Sequence, residues 1–226
     1  MAATATDVSF AIEVFAREAY PERAAGRVAE TVGGAATLVL TGGTTAAEIY
    51  PHLSLPDVLT GVFFSDERCV PPDDDASNFR MASERLRGLD AAKVHRMRGE
   101  LDPEEGAARY SDDVAPFVER GFDVMLLGMG ADCHICALFP GSPALDSERY
   151  CAAVDRPDGL RGLTLTPATI PSARTILLVV TGDTKADAVR RVIEGDEKPH
   201  DCPARLLADH PNATFLLDEP AAALLS

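Results

Sequence analysis

Asp132 and His134 stand two residues apart, just beyond the apolar run Val124-Met-Leu-Leu127 and the glycine turn Gly128-Met-Gly130. Imidazole titrates near neutral pH and suits proton transfer to and from water. The unbroken apolar run predicts a strand buried on both faces. The pair therefore falls in a loop past a strand's carboxyl end, where open α/β sheets gather their ligands. A solitary loop histidine is more often structural than catalytic, so its weight depends on what else converges on it.

Three other strand ends are polar or glycine-rich. Leu40-Thr-Gly-Gly-Thr-Thr-Ala46 reads as strand, glycine turn and helix start. Gly42 and Gly43 permit a tight turn, the helix start offers unpaired N–H groups, and Thr44 and Thr45 add hydroxyls; together they can cradle a phosphate. The same pattern also describes an ordinary βα turn capped by threonine. No Gly-Lys-Thr follows, and the spacing is not that of a dinucleotide fold. Val179-Val-Thr-Gly-Asp-Thr-Lys185 repeats the design with a lysine in the first helical turn. There a cation opposes the helix dipole, at a cost of about 0.3–1 kcal/mol that a bound anion would offset. Phe64-Ser-Asp-Glu-Arg68 places two carboxylates and a guanidinium directly after a buried strand. Arg68 can fork onto a phosphate, and Asp66 or Glu67 can orient a hydroxyl or a neighbouring base. The competing reading is a local Asp–Arg ion pair that holds the loop shut.

Cys133-His-Ile-Cys136 contains a C-x-x-C spacing, but no second ligand pair at similar spacing accompanies it, so no structural metal site is expected. The five cysteines, Cys69, Cys133, Cys136, Cys151 and Cys202, read as reduced thiols. His52, His95, His200 and His210 lack a comparable setting.

The elements that must position these residues alternate along the chain. Helices are expected over Val8 to Val32 (with Pro21-Glu22 opening a second segment), Thr45 to Leu53, Asn78 to Leu86, Pro103 to Glu119 and Asp183 to Glu194. Strands are expected over Thr37 to Thr41, Gly61 to Ser65, near Val94 to Met97, and over Phe122 to Leu127, Arg161 to Thr166, Thr175 to Thr181 and Thr214 to Leu217. Such alternation predicts one α/β domain over residues 1–226, a mostly parallel sheet with helices on both faces. The Pro/Asp-rich stretch Val70 to Ser77 reads as an active-site loop.

At a formal net charge of −15, the chain is a poor match for a phosphate backbone, so no nucleic-acid partner is expected. Only three of its 21 basic residues are lysines, a composition compatible with a high-salt cytosol or a GC-rich genome. No apolar run reaches membrane-spanning length and no signal peptide is visible, which predicts a cytoplasmic protein without a membrane partner. A monomer or small homo-oligomer is expected.

Set in order, these blocks resemble the 6-phosphogluconolactonase family over nearly the whole chain. The resemblance is carried by Leu40-Thr-Gly-Gly-Thr-Thr, by Ser65-Asp-Glu-Arg-Cys-Val-Pro-Pro-Asp with Ser77-Asn-Phe-Arg-Met81, and by His95-Arg-Met-Arg-Gly-Glu-Leu-Asp-Pro-Glu104. It continues through Phe122-Asp-Val-Met-Leu-Leu-Gly-Met-Gly, His134 with Leu138-Phe-Pro-Gly141, Leu163-Thr-Leu-Thr, and Val180-Thr-Gly-Asp-Thr-Lys185. It implies a Rossmann-like fold of the type shared with glucosamine-6-phosphate deaminase and ribose-5-phosphate isomerase. It also implies hydrolysis of a small sugar-phosphate lactone, 6-phosphogluconolactone, without metal or other cofactor. His134 matches the family's general base; Arg68 and Lys185 match phosphate-binding positions, to which Gly42, Gly43, Thr44, Thr45 and Asp66 are added. Asp132 or a backbone carbonyl can orient the imidazole. Backbone N–H groups around Gly128 to Gly130 are candidates for stabilising an oxyanion.

The chain departs from the family where glycine would precede the histidine: Cys133 stands there, followed by Ile135, Cys136 and Ala137 in place of small or polar residues. A strained Cys133 or a shifted turn is expected. Two other readings stay open: an amino-sugar phosphate deaminase or isomerase on the same fold, and a non-catalytic sugar-phosphate-binding module. The deaminase motif carries tyrosine where this chain has Arg68.

Overall fold

The computed structural model describes residues 10–226. In chain order the elements are β1 (Ala11–Phe15), α1 (Tyr20–Val32), β2 (Thr37–Leu40), α2 (Gly43–Ile49), β3 (Gly61–Phe64), β4 (Asp66–Arg68), α3 (Asn78–Arg85) and α4 (Pro103–Arg120). They continue with β5 (Val124–Gly128), β6 (Cys151–Asp155), β7 (Arg161–Leu165), β8 (Thr175–Val180), α5 (Ala186–Glu194), β9 (Ala213–Asp218) and α6 (Glu219–Ala222).

Six strands form a parallel sheet in the order β1-β9-β8-β5-β2-β3. Every residue of β2 and β3 is buried, and β8 is buried from Ile176 onward, so both faces of the sheet are covered. Helices α1 and α2 lie against β5, and Tyr20 and Tyr50 tie the layers by donating to the carbonyls of Leu216 and Thr41. Under β3, Phe63 packs edge-on against Phe117 of α4 and Phe122. The mostly parallel α/β architecture expected from the sequence is present.

The chain runs outward from β2 to β3 and then returns to the other flank of β2 as β5. The strand order thus reverses beside β2, and a crevice opens beyond the carboxyl ends of β2 and β5.

Three expectations need correction. Ala11–Phe15 is a strand rather than the start of a helix (Val8 and Ser9 lie outside the described residues). Its Ile, Val and Phe favour extended backbone, and it pairs in register with β9, Ala11 with Thr214 through Phe15 with Asp218. The strand expected near Val94 reduces to one bridge with Val62, held by His95 N–H donating to the Val62 carbonyl. Arg161–Leu165 belongs to a second, antiparallel sheet, β4-β7-β6, in which β4 and β6 were not foreseen. The shortest link between this sheet and the main one is a single residue, Ser65, between β3 and β4.

Candidate active site

The crevice is a cleft of about 600 Å³, open mouth included. Gly42, Gly43, Thr44, Thr45, Asp66, Arg68, His134 and Lys185 line it together, so residues from all four strand ends meet there. Thr45 and Thr181 hydroxyls, 2.9 Å apart, tie the first and last of those ends. The start of α2 presents unpaired N–H groups to the cleft, as a phosphate site requires. Gly42 is required for close packing: a Cβ there would fall 2.0 Å from the Asn78 side-chain oxygen.

Asp132 lies behind His134. Its Oδ1 is 2.6 Å from His134 Nδ1 and also accepts from the His134 backbone N–H at 3.2 Å. Partial burial opposes ionisation of Asp132, but the hydrogen bond and charge interaction with His134 and nearby backbone N–H groups outweigh it, holding the carboxyl at about 2. A carboxylate on Nδ1 selects the tautomer whose Nε2 lone pair is free. The imidazole packs against Phe139, with ring centroids 4.7 Å apart. A Cβ on Gly130 would lie 2.1 Å from His134 Nδ1, so the turn under the ring needs glycine.

Cys133 adopts φ 67° and Cys136 φ 54°, a left-handed backbone that costs an L-residue roughly 1–2 kcal/mol. Of the two alternatives, the strained Cys133 is the one present, and two hydrogen bonds close the turn: Gly130 N–H donates to the His134 carbonyl, and Cys133 N–H to the Gly130 carbonyl. Ile135 is fully buried, consistent with its loss of polarity. Cys136 borders the cleft with its thiol held neutral by burial.

The two carboxylates after β3 divide their work. Glu67 turns away from the cleft and accepts hydrogen bonds from the backbone N–H groups of Arg68, Asn78 and Phe79 and from Ser77 Oγ. Burial raises its pKa, opposed by those bonds. Its task is to fasten β4 to the start of α3, so it is not a ligand for substrate. Asp66 does face the cleft, fixed by Ser65 and Asn78. The competing reading, an Asp–Arg pair within this loop, is not met among the described residues. Arg68 instead donates to the Ala76 carbonyl, closing the Pro/Asp-rich loop, and its buried Nε has no partner among the described residues.

Asp66 faces another cation, Arg156, whose Nη1 lies 3.8 Å away while its Nε and Nη2 donate to Asp158. Arg156 lines the cleft, is mostly buried, and stacks on Phe139, the ring that also supports His134. Sequence reasoning passed over it. The clue was Asp158-Gly159, a hairpin turn signal between two short apolar runs, which places Arg156 at the tip of the β6–β7 hairpin.

Lys185 closes a short 3-10 turn and caps α5. Burial lowers its pKa, partly opposed by the charge of Asp132, and it makes no ion pair among the described residues. The backbone donors expected around Gly128 to Gly130 are largely committed: Gly128 N–H donates to Thr41 Oγ1 and Gly130 N–H to the His134 carbonyl. Among the described residues, no three His, Cys, Asp or Glu side chains gather as metal ligands, and no helix is long and apolar enough to cross a membrane.

Residues 14–216 match the family described as glucosamine-6-phosphate isomerases/6-phosphogluconolactonase. A 6-phosphogluconolactonase of Synechocystis sp. is 36% identical, over 83% of this chain and 84% of the relative. Among solved structures, a 6-phosphogluconolactonase from Trypanosoma cruzi superposes with a TM-score of 0.85 at 24% identity, covering 99% of this chain and 100% of that one. A monomeric glucosamine-6-phosphate deaminase superposes with a TM-score of 0.83 at 25% identity, over 95% of this chain and 100% of that one. The backbone is therefore common to both chemistries, and the side chains in the cleft must separate them.

Proposed function

The chain belongs to the glucosamine-6-phosphate isomerase/6-phosphogluconolactonase family, and from its lactonase relatives and the cleft we infer that it hydrolyses 6-phospho-D-glucono-1,5-lactone to 6-phospho-D-gluconate, in the oxidative pentose phosphate pathway, with His134 as general base. The supporting observation is the Asp132–His134 pair at one wall of a cleft whose other walls carry a helix start, Arg68, Arg156 and Lys185. Arg68, Lys185 and free backbone N–H groups suit a phosphate; a carboxylate-oriented imidazole suits the activation of water. Arg68, in place of a tyrosine, supports the lactonase over the deaminase reading.

A lactone is an activated ester, so positioning and proton transfer are the principal needs. The phosphate rests at the start of α2, on Gly43, Thr44 and Thr45, with Arg68 and Lys185 supplying charge. Holding the substrate by this remote group brings its C1 carbonyl to His134. Nε2 of His134 takes a proton from water as the water oxygen attacks C1, while Asp132 stabilises the imidazolium. The imidazolium then returns the proton to the ring oxygen as the C1–O bond breaks. With Gly128 and Gly130 N–H groups engaged, and Arg156 Nε and Nη2 donating to Asp158, the donor for the developing oxyanion is Arg156 Nη1, a role the guanidinium's shared support with His134 on Phe139 favours. The small polar substrate and acidic surface agree with a cytoplasmic enzyme that binds neither nucleic acid nor membrane.

Hydrolysis of 6-phosphogluconolactone, corrected for its spontaneous rate, tests this reading. Replacing His134 with Ala is expected to lower kcat by about 10²–10⁴-fold, the range of general-base loss. Near-normal turnover in that variant would overturn the assignment, and ammonia release from glucosamine 6-phosphate by the wild type would favour the deaminase.

A further inference from the structure

Asp218 ends β9 as a fully buried carboxylate that the proposed chemistry does not use. A carboxylate taken out of water must be matched by donors, and backbone and side-chain donors converge on this one. The Gly182 N–H donates to both oxygens, at 3.0 and 3.1 Å, the Ala221 N–H donates to Oδ1 at 2.8 Å, and Arg17 Nε lies 3.5 Å from Oδ2. The bond from Ala221 is the N-cap of α6. A cap needs one accepting oxygen and no charge, so capping accounts for neither the second oxygen nor the guanidinium.

The Gly182 bond leads to the cleft. Gly182 has φ 94°, and its carbonyl accepts from the Lys185 N–H at 3.1 Å, which closes the 3-10 turn. Lys185 lines the cleft and makes no ion pair among the described residues, so its position depends on the turn that carries it. Arg17 extends the contacts on the other side of Asp218. It also donates to both oxygens of Glu48, at 2.8 and 3.0 Å, and Glu48 lies on α2, whose start forms the other half of the phosphate site. The buried carboxylate thus stands between the two halves of that site.

We propose that Asp218 is a positioning residue for phosphate binding, an assignment that rests on the cleft being a phosphate site: through Gly182 it sets the turn that aims Lys185, and through Arg17 it fixes that turn relative to α2. Asp218 does not itself line the cleft, so it acts on the substrate only through these neighbours. An amide in its place keeps one accepting oxygen and sets an NH2 group against the Gly182 N–H or Arg17, donor against donor. The turn then loses its anchor, and the ammonium no longer stays in register with the N–H groups at the start of α2. His134, held by Asp132 and Phe139, is untouched by the change.

The test compares full-length Asp218→Asn and Asp218→Ser proteins with wild type, each change alone and combined with Lys185→Met. Asparagine and serine cap helices about as well as aspartate, so α6 and the fold are expected to survive while the hold on Gly182 and Arg17 is lost. Should one variant fail to fold, the other decides. KM for the lactone should rise by about threefold to tenfold, the range one net hydrogen bond spans, with kcat nearly unchanged. Calorimetric titration with inorganic phosphate should show the same loss of affinity. In the Lys185→Met background the Asp218 changes should add almost nothing, because the group they aim is gone. A carboxylate with a merely structural role would lower the melting temperature and leave KM and phosphate affinity at their wild-type values; that result overturns the proposal. So does an Asp218 effect that multiplies that of Lys185→Met. Phosphate binding is read without turnover, so a wild-type protein that binds phosphate and hydrolyses no lactone sinks the lactonase reading alone. A wild type that binds no phosphate sinks the positioning role together with the site it serves.

Discussion

Replacing Gly130 with Ala is the sharpest probe of how the base is held. The added methyl would sit 2.1 Å from His134 Nδ1, 2.3 Å from its Cε1 and 2.4 Å from Asp132 Oδ1. Ordinary contact begins near 3.4 Å, so the imidazole must retreat by more than an ångström or lose its carboxylate. The backbone is not the obstacle: alanine keeps the N–H that donates to the His134 carbonyl, and Gly130 is not among the positive-φ glycines. The His134 side chain is 31% exposed and can swing outward, so the change should be felt in catalysis far more than in folding. A displacement of about 1 Å in a reacting group can lower the rate by about 10²-fold. We therefore expect Gly130→Ala to reduce kcat for the lactone by about that factor, with KM nearly unchanged because the phosphate sits at the start of α2, and with thermal unfolding close to wild type. A kcat within about threefold of wild type would refute the claim that this turn sets the ring's position, given the size of the expected displacement.

Other substitutions separate the remaining roles. Asp132→Asn should lower kcat by about 10-fold while KM holds, as expected for losing a partly exposed charge-assisted bond. The same change bears on acid stability: with its folded pKa lowered to about 2, Asp132 contributes stability above the unfolded carboxyl value that is lost as pH falls through the folded one, so acid unfolding of the variant should be less steep across that window. Lys185→Met should raise KM by about tenfold yet leave the melting temperature equal or higher, because it removes a partly buried cation that has no ion-pair partner among the described residues. Arg156→Gln should cut kcat by about 10²-fold with a smaller change in KM, the signature of an oxyanion donor rather than a phosphate clamp.

The strand ends were legible because burial writes them plainly. Val124 to Leu127, Leu38 to Leu40 and Ile176 to Val180 are buried on both faces and appear as continuous apolar runs, and the polar residues after them can only lie at the sheet's edge. The second sheet was hidden for the opposite reason. Its β4 is Asp-Glu-Arg, with no apolar signal at all, and is extended because β7 supplies its partners, Asp66 facing Thr164 and Arg68 facing Gly162. Arg156 went unseen with it. Edge strand β1 was misread because five residues of mixed character fit a helical spacing as well as an alternating one, and only pairing with β9 decides between them. Glu67 shows a further limit: residue type placed it in the site, but which way its carboxylate turns depends on the N–H groups of Asn78 and Phe79, more than ten residues away.

The reversal of strand order beside β2 also bears on how the chain becomes active. Asp123, at the entrance to β5, accepts from Thr37 N–H across 86 residues, and Thr45 meets Thr181 across 136. The cleft therefore has no local precursor: its walls come together only when pairings of long sequence separation close, and such pairings are slow to form. During refolding, helical signal should return well before lactone hydrolysis, and recovery of turnover should report completion of the parallel sheet. A ribosome-bound chain ending before Lys185 would hold most of the sheet's helices and no functioning site.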